Sequence, residues 1–271
     1  MKTLYISDLD ATLLNNKARL SDFTRKTLEA LMEKGVLFTY ASARSYVSAN
    51  SVLDGFEPNV PSIIYNGTFI RDNRSGEFTL VDKFRHGEGK EILFKLRENG
   101  IFPLVYSFID SKECFSFVEE ELSGGVLEFV NEHRDDPRIN PTSADKLDEG
   151  EIFHFTCIDS EEKLIPMYEA LKNEHQCVYY KEQYSGKWWL EIHPIGATKA
   201  NAVLKLKEML GAHKIVCFGD GVNDISMFEV SDECYAPSNA HESVKAIADA
   251  VIDSNENDGV VKWLLENTEE I

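Results

Sequence analysis

The stretch Leu4-Tyr5-Ile6-Ser7-Asp8-Leu9-Asp10 begins with three apolar residues and ends in a polar cluster that holds two carboxylates. A short apolar run followed directly by polar residues is typical of a buried strand. In open parallel sheets, ligands bind at the carboxyl ends of the strands, which is where these two acids are expected to lie. The stretch therefore predicts both a first strand and the first part of a site.

Strand and helix patterns alternate after this stretch. A helix is predicted from a Ser21 cap to Gly35, with Phe23 on its apolar face, and strands are predicted over 36–41 and 62–65. The order strand, helix, strand, helix, strand indicates a parallel sheet with crossover helices. Polar or small residues follow the second and third strands, namely Ser42, Ala43, Arg44, Asn66 and Gly67.

The pattern changes in the middle of the chain. Thr68–Lys83 is predicted to form a hairpin, and the next hundred residues mix helices with strands that are at least partly antiparallel. The parallel pattern returns after Gly196. We therefore predict an α/β protein in which a Rossmann-like core with a parallel sheet (1–83 and 193–271) carries an inserted α/β cap domain (84–192).

Composition excludes several classes of function. The 271 residues carry a formal charge of −19 without a basic run, so nucleic acid and anionic membrane surfaces are unlikely partners. No apolar run is long enough to cross a membrane, and the first residues do not resemble a signal peptide. The five scattered cysteines suggest neither a disulfide framework nor a zinc site. We expect a cytoplasmic protein that is a monomer or a weak homo-oligomer.

Several chemically active residues fall at predicted strand ends or helix starts. They are Asp8, Asp10, Ser42, Lys199, Asp220, Asn223 and Asp224. If the strands are neighbours, one pocket gathers carboxylates, a hydroxyl, an amide and an ammonium. Crowded carboxylates favour a hard divalent cation such as Mg²⁺, while the lysine and the hydroxyl can hold phosphate oxygens. The set therefore predicts magnesium-dependent phosphoryl transfer.

The two residues of the first acidic pair have different predicted roles. Asp8 is placed to attack phosphorus and form an aspartyl phosphate. Asp10 lies two residues further along and points the same way if the extended geometry continues. A second carboxyl there can protonate a departing alkoxide and later accept a proton from water. This arrangement suits phosphate esters of alcohols.

These residues resemble a known family. The stretch Asp8–Leu14 resembles the DxDGT nucleophile motif of the haloacid dehalogenase superfamily, and 219–224 resembles its GDGxND motif. Ser42 and Lys199 match its second and third motifs. Asn66-Gly67, with 238–240 and 257–260, looks like the Cof-type subfamily, whose cap is a large α/β insertion.

The resemblance implies specific roles. Asp8 would be nucleophile and metal ligand, Asp10 acid/base and ligand through its carbonyl, and Asp220 a metal ligand. Ser42, Lys199 and Asn223 would bind phosphate. The supporting residues would be Asp224, Ala43, Arg44, Asn66 and Gly67. Small phosphorylated metabolites, sugar phosphates first, are the implied substrates.

Two departures from the motifs concern glycine. Ala11 and Ala43 stand where the family usually has glycine. Alanine tolerates most backbone conformations except those with positive φ, so we expect only a slight change in geometry.

Two other functions fit part of the pattern. A phosphomutase or phosphotransferase would use the same aspartyl phosphate and pass the phosphoryl group to a hydroxyl instead of water. A non-enzymatic phospho-acceptor module would also place acids at strand ends, but it needs no acid for a leaving group, so Asp10 and a large cap argue against it.

Overall fold

The computed structural model describes residues 2–181 and 186–268. The chain divides into two compact units. The first combines the residues up to Val81 with those from Ala197 onward, and the second runs from Asp82 to Gly196.

Fourteen strands are assigned within the described residues. In chain order they are β1 (Thr3–Ser7), β2 (Leu37–Tyr40), β3 (Ser62–Ile64), β4 (Phe69–Arg71), β5 (Phe78–Leu80), β6 (Leu104–Ile109), β7 (Lys112–Phe117), β8 (Ile139–Pro141), β9 (Glu151–Asp159), β10 (Gln176–Lys181), β11 (Trp188–His193), β12 (Lys214–Phe218), β13 (Glu233–Pro237) and β14 (Ala250–Ile252).

Nine α-helices are assigned in the same part of the chain. They are α1 (Asp22–Glu33), α2 (Tyr46–Leu53), α3 (Glu88–Glu98), α4 (Gly124–Glu132), α5 (Glu161–Leu171), α6 (Lys199–Leu210), α7 (Ile225–Phe228), α8 (Glu242–Lys245) and α9 (Gly259–Thr268). No helix among the described residues is both long enough and apolar enough to cross a bilayer.

The first unit is built on a five-stranded parallel sheet in the order β14-β13-β12-β1-β2. β1 lies between β12 and β2, so Ser7 pairs with Phe218 on one side and with Tyr40 on the other. The carboxyl ends of these three strands therefore meet at one edge of the sheet. The predicted fold class, an α/β protein with a parallel sheet, is confirmed.

The third strand of the prediction lies in a different sheet. β3 pairs antiparallel with β4, and β4 pairs antiparallel with β5, which confirms the hairpin. The parallel link from β3 to the main sheet is one bridge between Ala41 and Ile63. The chain reverses directly after β3 because Tyr65, Asn66 and Gly67 all have positive φ. The expectation of a full third parallel strand is therefore wrong.

The first helix, α1, is capped as predicted, but Phe23 does not lie on its buried face. The Ser21 hydroxyl accepts a hydrogen bond from the Thr24 N–H at 2.9 Å, and Gly35 adopts φ 97° after the helix end. Leu28 is fully buried, whereas Phe23 is 45% exposed. Phe23 occupies the first turn on the side away from the core, because the helical period aligns Thr24, Leu28 and Leu31 instead.

The second unit is built on a six-stranded sheet in the order β10-β11-β9-β6-β7-β8. All neighbours are antiparallel except β7 and β8. One core cluster of this unit packs residues of α3 and α5 against alternate residues of β9 and β11, among them Phe155, Cys157, Leu190 and Ile192. The polar stretch 133–148 contains the short strand β8.

Candidate active site

The first carboxylate, Asp8, lies at the carboxyl end of β1, between β12 and β2. The Asp8 N–H donates to the Phe218 carbonyl at 2.8 Å, which extends the pairing of β1 with β12 by one residue. Asp8 is only 7% exposed. The sheet therefore holds the backbone of Asp8 firmly and directs its side chain into a buried setting.

The residues after Asp8 form a tight turn over Leu9–Leu13. Ala11 has φ 54° in this turn, and its carbonyl accepts a hydrogen bond from Asn239 Nδ2 at 2.8 Å. A positive φ disfavours every residue with a Cβ atom. The expectation that alanine changes the geometry only slightly therefore overlooked a strained backbone at Ala11. Ala43 is exposed and has no positive φ, so glycine is not required there.

Lys199 joins two of the predicted site carboxylates. Its Nζ lies 2.6 Å from Asp8 Oδ1 and 2.6 Å from Asp224 Oδ1, and the side chain is 1% exposed. Burial alone would lower the pKa of Lys199, but the charges of Asp224 and Asp8 outweigh it and raise the pKa above its ordinary value. Lys199 is therefore a permanent ammonium ion at the first turn of α6.

Asp220 is the third acid of this cluster. One carboxylate oxygen from each of Asp8, Asp220 and Asp224 lies within 4.8 Å of the others. The Thr12 hydroxyl donates to Asp220 Oδ1 at 2.7 Å. Thr12 was not selected as a site residue from the sequence, although it lies four residues after Asp8 within the nucleophile motif and is buried.

The electrostatics of the three acids are unfavourable without a further cation. Burial raises the pKa of Asp8 well above its usual range; the Lys199 ammonium opposes that rise, and the charges of Asp224 and Asp220 add to it. Burial, again the largest cause, raises the pKa of Asp220 to about 6. Three carboxylates and one ammonium leave an excess of negative charge. The cluster offers only oxygen atoms, and its charge fits one hard divalent cation.

Asp224 also shapes the loop that carries Asp220. Its Oδ2 accepts hydrogen bonds from the N–H groups of Asp220 at 3.0 Å and Gly221 at 2.9 Å, and the residue is fully buried. These bonds fix the direction of the loop after β12. Asp224 is thus a positioning residue for Asp220 as well as a partner of Lys199.

The Asp10 carboxylate contacts Arg44 and none of the three clustered acids. Arg44 holds both its carboxylate oxygens, through Nε to Oδ2 at 2.8 Å and Nη2 to Oδ1 at 2.7 Å. A third Arg44 bond reaches the Ser48 hydroxyl at 2.9 Å, which ties the pair to α2. The Asp10 side chain is 49% exposed. Asp10 therefore faces solvent beside the buried cluster, paired with an arginine.

Ser42 follows the bridge between the two sheets of the first unit. The N–H of Ala41 donates to the Ser7 carbonyl at 2.9 Å, and the N–H of Ser42 donates to the Ile63 carbonyl at 3.0 Å. The Ser42 hydroxyl accepts the Arg44 N–H at 3.2 Å. Ser42 is 1% exposed and does not cap α2, which begins instead at the Ser45 cap. The register thus brings Ser42 beside the end of β1.

Asn66 and Gly67 pack against the start of α6. A Cβ atom on Gly67 would lie 2.2 Å from the Thr198 carbonyl oxygen, so only glycine allows this approach. Asn223 Nδ2 donates to Asn66 Oδ1 at 3.2 Å. Both residues therefore help to place Lys199 and the 219–224 loop, and the Asn223 amide has a protein partner.

Comparisons with known proteins agree with this architecture. The family model described as haloacid dehalogenase-like hydrolase matches residues 5–264. A 5-amino-6-(5-phospho-D-ribitylamino)uracil phosphatase of Bacillus subtilis is 29% identical, with 97% of each chain covered. A pyridoxal phosphate phosphatase of Escherichia coli is 25% identical, with 95% of each covered.

Solved structures show the same fold along the whole chain. A crystal structure of a protein from Thermotoga maritima has a TM-score of 0.80 at 27% identity and covers 98% of this chain and 97% of its own. A haloacid dehalogenase-like hydrolase from Bacteroides thetaiotaomicron has a TM-score of 0.79 at 25% identity, with 98% and 99% covered. The predicted resemblance and the enzyme class, a phosphatase of the haloacid dehalogenase superfamily, are confirmed. The family model matches nearly all of this chain, and an acidic cluster lies at the carboxyl edge of its parallel sheet. This chain therefore belongs to the haloacid dehalogenase-like hydrolases.

Proposed function

We propose that this enzyme hydrolyses small phosphate monoesters of alcohols, sugar phosphates among them, with Mg²⁺ as cofactor and Asp8 as nucleophile. The observation that carries the proposal is the buried cluster of Asp8, Asp220 and Asp224 around Lys199, whose negative charge exceeds its positive charge. The B. subtilis and E. coli relatives are both named for substrates that carry a phosphate group.

Asp8, Asp220 and the Asp10 carbonyl would hold the cation, with Asp224 in support. When bound, Mg²⁺ would offset the charge of the acids and draw electron density from the phosphate. Carboxylate oxygens without sulfur or imidazole are the ligands that suit magnesium. Lys199, held between Asp8 and Asp224, would keep a positive charge next to the transferring phosphoryl group.

The reaction would proceed in two displacements. A carboxylate oxygen of Asp8 forms a bond to phosphorus while the bond from phosphorus to the ester oxygen breaks, and Asp10 gives the departing alkoxide a proton. Water then attacks the aspartyl phosphate, loses a proton to Asp10 and releases inorganic phosphate. Ser42 and Asn223 are proposed to bind the phosphate oxygens.

Arg44 has a place in this scheme because it holds Asp10 in the structure. Asp10 must exchange this partner for the ester oxygen before it can act as an acid. A phosphate dianion offers the guanidinium an alternative partner of matching geometry. Substrate binding would thus release the Asp10 carboxylate, which would take up a proton from solvent and then pass it to the departing ester oxygen.

The decisive experiment measures phosphate release from a panel of phosphate esters, with Mg²⁺ and with a chelator. Asp8→Asn is expected to lower kcat by at least about 10⁴-fold, since the covalent route is lost. Asp54→Asn, a change at an exposed aspartate after α2 that has φ 49°, is the matched control and should leave kcat unchanged. Turnover that survives both chelation and Asp8→Asn would disprove the proposal.

The same assay separates hydrolysis from the phosphomutase or phosphotransferase alternative. With a second sugar present as acceptor, hydrolysis gives one inorganic phosphate for each ester consumed. Transfer would give a new sugar phosphate and little free phosphate.

A further inference from the structure

A second group of metal-ligating side chains lies in the second unit. His154 on β9 and Glu191 and His193 on β11 each place one ligand atom within 4.8 Å of the other two. None of these atoms belongs to the carboxylate cluster of the first unit. Local sequence patterns do not reveal this group, because His154 lies 37 residues before Glu191 and 39 before His193.

The strand register explains how the three side chains converge. β9 and β11 are antiparallel, with Thr156 opposite Glu191 and Phe155 opposite Ile192, so the next pair is His154 with His193. Glu191 and His193 lie two residues apart on one strand and therefore project to the same face of the sheet. That face is the one opposite to Phe155 and Ile192, which pack in the core with α3 and α5.

The distances are near those of a bound ion. Glu191 Oε2 lies 3.6 Å from His193 Nε2, and the two imidazole rings are stacked with centroids 4.2 Å apart at 16°. Ligand atoms of a tetrahedral zinc ion at 2.0–2.1 Å lie about 3.3 Å from each other. To bind one ion, the near-parallel rings would have to rotate so that one nitrogen of each points at it.

The surroundings orient the first imidazole. Tyr106 stacks on the other face of His154 with centroids 4.7 Å apart, and the Thr156 hydroxyl lies 3.2 Å from His154 Nε2. A hydrogen-bond partner on the ring nitrogen that does not bind the metal is typical of ligating histidines. Burial lowers the pKa of His154 well below its usual value, and the neighbouring His193 and Arg138 add to this.

We propose that His154, His193 and Glu191 form a binding site for one divalent transition-metal ion of the zinc type. Two imidazoles and one carboxylate are a known ligand set for zinc, with the fourth position open to water or a ligand. Magnesium is disfavoured there because it prefers oxygen ligands. The His193 side chain is fully buried and that of Glu191 is 12% exposed, so the ion would reach the surface on the Glu191 side.

The test uses cobalt(II) as a spectroscopic substitute for zinc in the untagged full-length protein. Asp8→Asn with Asp220→Asn supplies the background, so that the cluster of the first unit no longer competes for metal. We expect this background protein to bind one cobalt ion with the intense visible absorption of tetrahedral coordination. Zinc should displace the cobalt and raise the Tm.

The ligand variants decide whether these residues hold the ion. His154→Ala and His193→Ala should each weaken cobalt binding at least about 100-fold and abolish the visible bands, since a lost ligand costs more than a lost supporting contact. Glu191→Gln keeps size and shape, and it should weaken binding at least about tenfold even if a histidine variant fails to fold. His86→Ala, a change at an exposed histidine of the same unit, should bind cobalt normally.

Two results would overturn the proposal. One is a background protein that binds no cobalt at a concentration of about 1 mM, a weak limit for a protein site. The other is a set of tetrahedral bands that persists in both His193→Ala and Glu191→Gln. Neither result would affect the proposed phosphatase reaction, which is measured with the unaltered Asp8 and Asp220.

Discussion

Each compact unit buries a cation between two carboxylates, and the two clusters differ in how completely the charges are matched. In the first unit, Lys199 lies between Asp8 and Asp224. In the second unit, Arg138 lies between Glu113 and Asp136, with nitrogen–oxygen distances of 2.7 and 2.6 Å. We name them the lysine cluster and the arginine cluster.

The pKa values of Asp136 in the arginine cluster and Asp8 in the lysine cluster shift in opposite directions. Arg138 donates to both oxygens of Asp136, and its N–H adds a third bond. Burial would raise the pKa of Asp136, but these bonds outweigh it and lower the pKa below its ordinary value. The pKa of Asp8 is raised instead, because burial and the nearby acids prevail over one shared ammonium. A carboxylate that its hydrogen bonds and ion pair stabilise is a structural feature, whereas a buried carboxylate with a raised pKa beside two further acids indicates a cation-binding site.

The largest expected effect compares the two buried cations directly. Lys199→Met and Arg138→Met should each lower the free energy of unfolding by about 3–5 kcal/mol, because each leaves buried carboxylates without their partner. Relative to the unaltered protein under the same conditions, Mg²⁺ should reduce the stability deficit of Lys199→Met and leave that of Arg138→Met unchanged. Urea unfolding with Mg²⁺ and with chelator measures both. Equal rescue of the two variants would remove the distinction between the clusters.

A substitution at Asp10 tests whether a residue outside the lysine cluster is the general acid. Asp10→Asn should lower kcat for sugar phosphates by about 10²–10⁴-fold, the usual contribution of a general acid. The loss should be smaller for nitrophenyl phosphate, whose leaving group needs little protonation. Steady-state kinetics on the two esters provide the measurement. Equal losses would exclude Asp10 as the acid.

The proposed binding of Mg²⁺ should depend on pH through Asp220. Its pKa is raised to about 6, so protons compete with Mg²⁺ as the pH falls through that value. The increase in Tm caused by Mg²⁺ should be complete above about pH 7 and largely lost at about pH 5. With chelator in place of Mg²⁺, the contribution of Asp220 to the Tm should increase as the pH falls. An acid whose pKa is raised by folding stabilises the folded state most when it is protonated.

The control for this pH series is Asp220→Asn, in which the magnesium effect should be lost and the trend in chelator should weaken, since Asp8 keeps a raised pKa. The arginine cluster should contribute undiminished stability over the same range, since Asp136 has a lowered pKa and loses its contribution only at still lower pH. A magnesium effect on Tm that does not change between pH 5 and 7 would contradict the charge argument.

The smallest effect concerns the backbone that carries the lysine cluster. Ala11→Gly should raise the free energy of unfolding by about 1 kcal/mol, since φ 54° strains alanine and not glycine. Ala43→Gly should give no such gain, and a loss of up to about 1 kcal/mol is expected from the greater freedom of the unfolded chain. Chemical unfolding of both variants measures these changes in the free energy of unfolding. A gain at Ala43 equal to that at Ala11 would show that strain at φ 54° is not the cause.

The sequence by itself determined the fold class and the identity of the acidic motifs. Apolar runs followed by acids marked β1 and β12, and the motif order linked Asp8, Lys199 and Asp220 to one chemistry. Capping residues such as Ser21 fixed helix ends, because those signals are local in the chain.

Tertiary structure decided the features that depend on contacts between distant residues. The antiparallel pairing of β3, the Thr12 bond to Asp220 and the pairing of Asp10 with Arg44 are examples. The convergence of His154 with His193 is another, since it depends on the register of two strands. Local patterns specify which residues end a strand, but the partner that each side chain meets is set by the packing of segments far apart in the sequence.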